Sequence, residues 1–96
     1  MNISSKSHRK LNSAITRRVI ELHSKGYDQD FMMQTNRLLC IQNNEDFAAS
    51  AVQILVVDQG YDHVDRCFKY IHTIDTFNGQ KGVLIANGIF TNAVIH

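Results

Sequence analysis

Proline is absent from this chain, so every turn must be made by other residues. That task falls to Gly, Asn and Asp, whose missing or short side chains tolerate left-handed backbone. Cysteine occurs twice, as Cys40 and Cys67, and no Cys-x-x-Cys is present. This excludes the common zinc spacings and a disulfide framework. No run of about 18 apolar residues occurs, so no membrane-spanning helix is expected. The first ten residues are polar and lack the apolar stretch of a secretory signal, which points to the cytoplasm. Both thiols should then be reduced and serve as small buried hydrophobes. Gly-x-Gly-x-x-Gly, Gly-Lys-Ser/Thr, Gly-x-Ser-x-Gly and His-Glu-x-x-His are all missing, as are repeats, linkers and low-complexity tracts.

What remains is ordinary in bulk and lopsided in detail. The chain has 96 residues, 44% hydrophobic and 20% charged, with a net charge of +1. That composition predicts one folded domain over 1–96, with residues 1–6 frayed. Residues 1–27 hold Lys6, Arg9, Lys10, Arg17, Arg18 and Lys25 against Glu21 alone, while residues 28–96 hold four basic residues against eight acids. The basic charge is therefore concentrated on the first element.

That element reads as a helix from Ser7 to Lys25. Leu11, Ile15, Val19 and Leu22 recur on one face, and Ser4, Ser5 and Ser7 offer N-cap hydroxyls. Gly26 fits the left-handed position just past the helix end, and Tyr27 the next position, where its ring can cover Leu22. After the helix the period shifts to two. Phe31 to Gln34 and Arg37 to Ile41 predict two strands joined by a Thr35-Asn36 turn. Phe47 to Val57 is uncharged, with both faces mostly apolar, and predicts a central strand broken by turn chemistry over Asp58 to Asp62. Arg66 to Asp75 alternates as a half-buried strand. Asn78-Gly79 predicts a two-residue type I′ hairpin into Lys81 to Ala86, and Ile89 to Ile95 an irregular edge strand. The expected architecture is α+β: an N-terminal helix packed on an antiparallel β-meander of four to five strands.

Gly26-Tyr27 with Asp30-Phe31, Leu38-x-Cys40, Glu45-Asp46-Phe47, and Gly79-x-Lys81-Gly82-Val83-Leu84 with Gly88 and Phe90 form an ordered set of short motifs. In this order the chain resembles a family of small, uncharacterised bacterial proteins often labelled phosphoribosylpyrophosphate synthetase. The resemblance implies a helix-plus-sheet fold. It departs from the family's acidic, Pro-containing loop and Arg-Phe-Glu-Gly-like strand end, where Val57-Asp58-Gln59-Gly60 and His63-Val64-Asp65 stand instead. Phosphoribosylpyrophosphate synthesis needs a phosphate cradle and carboxylates for Mg²⁺, and no strand and Gly-rich loop feed the helix here.

Four side chains are candidate ligand or partner contacts. Arg18 projects within the apolar stripe of the helix, either snorkelling to water or reaching an acid on the sheet or an anion. His63 and Asp65, with Cys67, have metal-capable chemistry at alternate positions, but they match no known zinc spacing and are better read as a solvated acidic turn leading into a strand. His72, between Tyr70 and Ile74, suits a half-buried structural histidine. No catalytic residue, metal or cofactor is expected, and the absence of a catalytic motif argues against an enzyme. Nucleic acid is not an expected partner, because residues 1–25 contain no aromatic side chain and the sheet is acidic. The leading expectation is a non-enzymatic binding domain that forms a homodimer through its sheet or binds another protein. A small-ligand or anion-binding protein using Arg18 is the alternative, and weak nucleic-acid binding through the helix the third. The dimer argument rests on Gly82 to Ile95, uncharged and expected at a sheet edge. Its rival is a tail that folds back over the sheet and completes a monomer.

Overall fold

The computed structural model describes residues 13–91. The expected first turns of the helix with Leu11 and the capping serines, the fraying of 1–6, and residues 92–95 of the expected last strand lie outside the described residues. Helix α1 spans Ser13–Ser24. Ile15 and Leu22 are buried and Val19 packs against them, as the spacing predicts. The helix ends as its sequence requires. The Gly26 amide donates to the His23 carbonyl at 3.1 Å and the Tyr27 amide to the Leu22 carbonyl at 3.1 Å, with Gly26 at φ 104. This is the paired closure of a Schellman motif, and the Tyr27 ring packs on the cluster that holds Leu22.

Six strands follow: β1 (Gln29–Gln34), β2 (Arg37–Cys40), β3 (Asp46–Ala48), β4 (Gln53–Asp62), β5 (Cys67–Asp75) and β6 (Lys81–Ala86), with one 3₁₀ turn at Ala49–Ala51. They form one sheet in the order β3-β2-β1-β6-β5-β4. The α+β class holds, but the meander does not. Two antiparallel units, β1-β2-β3 and β4-β5-β6, are joined by a parallel pair, β1 with β6, in which Gln29, Asp30 and Phe31 register with Gly82, Val83 and Leu84. Strand β6 is therefore interior to the sheet. The expected edge at the C-terminal end of the meander is absent, because β6 finds a second partner in β1.

Strands β3 and β4 lie at opposite edges, yet only residues 49–52 separate them in the chain. Five strand spacings laid flat span about 24 Å. A link of this length containing a 3₁₀ turn reaches roughly 15 Å. The sheet must roll up, and its concave side becomes the main core. Phe31, Leu38, Cys40, Val52, Ile54, Ile74 and Leu84 fill that side, with Phe47, Met33 and Ala49 around them. The convex side carries α1 over Ile71 and Val83.

Three expectations for local structure are corrected. Residues 47–57 are not one central strand: β3 ends at Ala48, the 3₁₀ turn intervenes, and β4 is an edge strand with Leu55, Val56 and Val57 exposed. Asp58 to Asp62 does not break β4. A bulge between Val56 and Asp58 absorbs the irregularity, and the strand runs on to Asp62. The β5–β6 connection is wider than a two-residue turn. Phe77 and Gly79, rather than Asn78 and Gly79, take positive φ. The Phe77 amide donates to Asp75 Oδ1 at 2.8 Å, and Thr76 Oγ1 donates to the Gln80 carbonyl at 3.0 Å, so side chains of the strand end organise a longer loop.

Two glycines are needed for different reasons. At Gly26 the requirement is conformational, since a Cβ there would meet nothing within 4 Å. At Gly82 it is spatial: a Cβ would sit 2.3 Å from the Gln29 carbonyl oxygen and 2.6 Å from the Phe31 ring. Gly26→Ala should cost about 1 kcal/mol through its left-handed φ. Gly82→Ala should cost roughly 3 kcal/mol, because backbone of the neighbouring strand has to move. Urea midpoints of the two variants check this, and equal losses would contradict the spatial role of Gly82.

Candidate functional site

Strand register sorts the charged residues by side. Asp30, Arg37, Asp46, Asp58, Asp62, Lys69, Asp75 and Lys81 all alternate onto the convex face, the side of α1. The concave face carries no charged strand residue. The basic helix therefore lies on the acidic side of the sheet. Arg18 Nε is 3.2 Å from Asp58 Oδ2 in an ionic contact that is not aligned as a hydrogen bond, and its Nη1 donates to Glu21 Oε1 at 2.9 Å. Of the two sequence readings of Arg18, the one in which it reaches an acid on the sheet is the observed one. His23 Nε2 stands 3.2 Å from Asp30 Oδ1. At the far edge Arg37 grips Asp46 through two nitrogens, which holds the Asp46 carboxyl below its ordinary range and raises the arginine.

His63 and Asp65 lie in the turn between β4 and β5 and are exposed. His63 meets the edge of the Tyr61 ring at 5.0 Å, and Tyr61 meets Phe68 at 5.4 Å, an exposed aromatic row on the concave face. Asp65 instead receives Lys69 Nζ at 2.7 Å. Lys69 also donates to Asn87 Oδ1 at 2.6 Å and lies 4.0 Å from Asp62 Oδ2. The hydrogen bond to Asp65 raises the lysine above its usual range against the opposing effect of burial. Cys67 faces the convex side and Cys40 the concave side, both as free thiols. Among the described residues no group of three or more His, Cys, Asp or Glu side chains is placed to hold a metal ion.

His72 is fully buried, at 0% exposure, in the middle of β5. Nδ1 lies 3.2 Å from the Leu84 carbonyl oxygen, and Nε2 lies 2.9 Å from the Phe90 amide nitrogen. Burial holds its pKa below the ordinary value, with hydrogen bonding to the Leu84 and Tyr70 backbone acting in the opposite direction. The Phe90 ring stands 5.9 Å from the imidazole, and Thr91 Oγ1 donates to the Ile54 carbonyl at 3.3 Å. Residues 87–91 thus fold back over the concave face. The sequence reading of a tail lying over the sheet describes this segment as far as Thr91. A cleft of about 380 Å³ opens beside it, lined by Met33, Gln34, Thr35, Asn36, Ala49, Ile54, Phe90 and Thr91. Among the described residues, its apolar floor and amide and hydroxyl rim include no ionisable side chain.

The four sequence candidates are not brought together into one site. Arg18 belongs to the convex face, His72 to the concave core, and His63 and Asp65 to the β4–β5 turn. Sequence reasoning missed Asp62, which is 2% exposed and accepts the Val64 amide at 3.0 Å. It also missed the pairing of His72 with Phe90. Running the alternation of β5 back through the turn would have placed Asp62 opposite Cys67 on the helix side.

The turn offers a direct comparison of buried and exposed acids. Asp62→Ala should cost about 2–3 kcal/mol, since it empties a buried site, takes the acceptor from the Val64 amide and removes the inner charge beside Lys69. Asp65→Ala, at a solvent-exposed pair, should cost less than about 1 kcal/mol. Chemical denaturation of both variants tests the order, and a larger loss at Asp65 would reverse this reading of the turn. No family model, curated protein sequence or solved structure matches this chain, so no residue inherits a role from a relative.

Proposed function

We propose that the protein is a small binding domain that works by pairing with a second copy of itself through β4, a strand at the edge of its sheet. The observation that carries this reading is the edge itself. Strand β4 is ten residues long and, among the described strands, has β5 as its one neighbour. Leu55, Val56 and Val57 are 42%, 39% and 38% exposed on it. Edges of this length are normally shielded by lysine, proline or extreme shortness. The opposite edge, β3, is only three residues long and lies beside the Arg37–Asp46 ion pair. Strand β4 contains neither lysine nor proline.

Charge favours a second copy as the occupant. Gln53 to Val57 is uncharged, so a two-fold axis at Leu55 would oppose these residues to themselves with no like charges facing. Asp58 follows, already neutralised by Arg18 of its own chain. The bulge at Val57 turns the rest of β4 away and limits pairing to this stretch. The family resemblance supports the helix-plus-sheet fold of this reading and adds no residue role.

Light scattering across the micromolar range should give twice the chain mass of 10.9 kDa. Leu55→Lys adds a charge to an already exposed position and should give the monomer mass with unchanged circular dichroism. A native chain that stays at 10.9 kDa up to several hundred micromolar, or a Leu55→Lys variant that still dimerises, would overturn the proposal.

A further inference from the structure

The two nitrogens of His72 face partners of opposite kind. The backbone amide of Phe90, 2.9 Å from Nε2, has only a proton to give, so Nε2 must present a lone pair. The carbonyl oxygen of Leu84, 3.2 Å from Nδ1, only accepts, so Nδ1 must carry the ring proton. One species meets both conditions: the neutral imidazole protonated at Nδ1. A second proton would set an N–H at Nε2 against the N–H of Phe90, two donors at hydrogen-bond distance with no acceptor between them. Protonation therefore breaks this contact rather than weakening it.

The contact holds one particular segment. Residues 87–91 leave the end of β6, are tied at their base by Lys69 to Asn87, and cross the concave face to the Ile54 carbonyl. Phe90 lies between those two ties, bonded to His72 and stacked at a tilt on its ring. We propose that Asn87–Thr91 is an acid-released strap: neutral His72 holds it across the concave face, and protonation at Nε2 frees it and opens the cleft that Phe90 and Thr91 help to line.

The surroundings leave the imidazole as the group that responds. The titratable side chains on its face are Tyr70 on its own strand, Tyr61 on β4, His63 against the Tyr61 ring in the following turn, and Cys40 on β2. Strands β1 and β6 and the strap bring none, and the charged strand residues all stand on the opposite face. No carboxylate on the strands is therefore placed to stabilise an imidazolium. Burial accordingly depresses the His72 pKa. For a histidine shifted downward, the folded state binds fewer protons than the unfolded state. The stabilisation is complete above the unfolded value of about 6.5 and is lost as pH falls from there through the lower folded value.

Nuclear magnetic resonance of the ¹⁵N-labelled chain between pH 7.5 and 4.5 tests the strap. At pH 7.5 the ring correlations of His72 should show a proton on Nδ1 and a bare Nε2, the rarer tautomer in water. As His72 titrates, the protection factor of the Phe90 amide, taken against the intrinsic exchange rate at each pH, should fall by about tenfold or more while the Ile74 and Leu84 amides keep theirs. His72→Gln, which keeps an acceptor but does not titrate, should hold the Phe90 amide protected throughout. The proposal is overturned by an Nε2–H tautomer at neutral pH, or by Phe90 protection that persists while His72 takes up its proton. It is equally overturned if Phe90, Ile74 and Leu84 lose protection together, if His72 stays neutral to pH 4.5, or if acid release survives in His72→Gln.

Discussion

The fold depends on the close approach of β1 to β6 at Gly82. Three positions in parallel register connect two units that are otherwise each antiparallel. The Phe31 ring lies where a side chain at position 82 would be, and the Gln29 carbonyl is too near for even a methyl group. The glycine lets two strands pair in parallel while a large aromatic residue of one fills the space above the other. Phe31 and Leu84, opposed across this seam, are 4% and 1% exposed and stand at the centre of the concave core. Moving the seam by one residue would turn Phe31 to the convex face and replace the core's largest side chain with a charged neighbour, Asp30.

From that seam follows the division of labour between the two faces. The concave side holds the main core, bears no charged strand residue, and is partly covered by the 3₁₀ link and the strap. The convex side carries the charged strand residues and is where the basic helix docks. Arg18 and His23 meet Asp58 and Asp30 across the helix–sheet junction. Pairs of this kind near the surface contribute little stability. They do set which way the helix lies, because the concave face has no acid to offer it. Of the basic residues among the first 27, Arg18 thus has an acidic partner on the sheet.

Much of this was legible in local sequence and little of it in long-range pairing. The helix stripe, its Gly26-Tyr27 closure and the β1–β2 hairpin follow from spacing and turn chemistry, and all three stand. The seam was not legible, because parallel pairing of Gln29–Phe31 with Gly82–Leu84 leaves no signature in either segment alone. The position of β4 was misjudged for a related reason. Its apolar residues on both faces suggested burial on both sides, whereas Ile54 alone of them is buried, and Val56, on the same face, stays exposed with Leu55 and Val57. Among the candidate residues, the ionic reach of Arg18 could be anticipated, while His72, read as half-buried, is fully buried. The partner of His72 could not, since it is a backbone amide from a segment eighteen residues away.

The seam also sets the order of assembly. The pairs within β1-β2-β3 and within β4-β5-β6 join segments that are neighbours along the chain, and such contacts close quickly. Gln29 and Gly82, by contrast, are separated by more than half the sequence. Closing that distance costs chain entropy before any contact across it is repaid. Two small sheets, each too thin to exclude water from both sides, wait on a single distant join. Topology therefore makes the fold cooperative: neither half has a finished core until the seam has closed, and the rate-limiting barrier is expected at that closure.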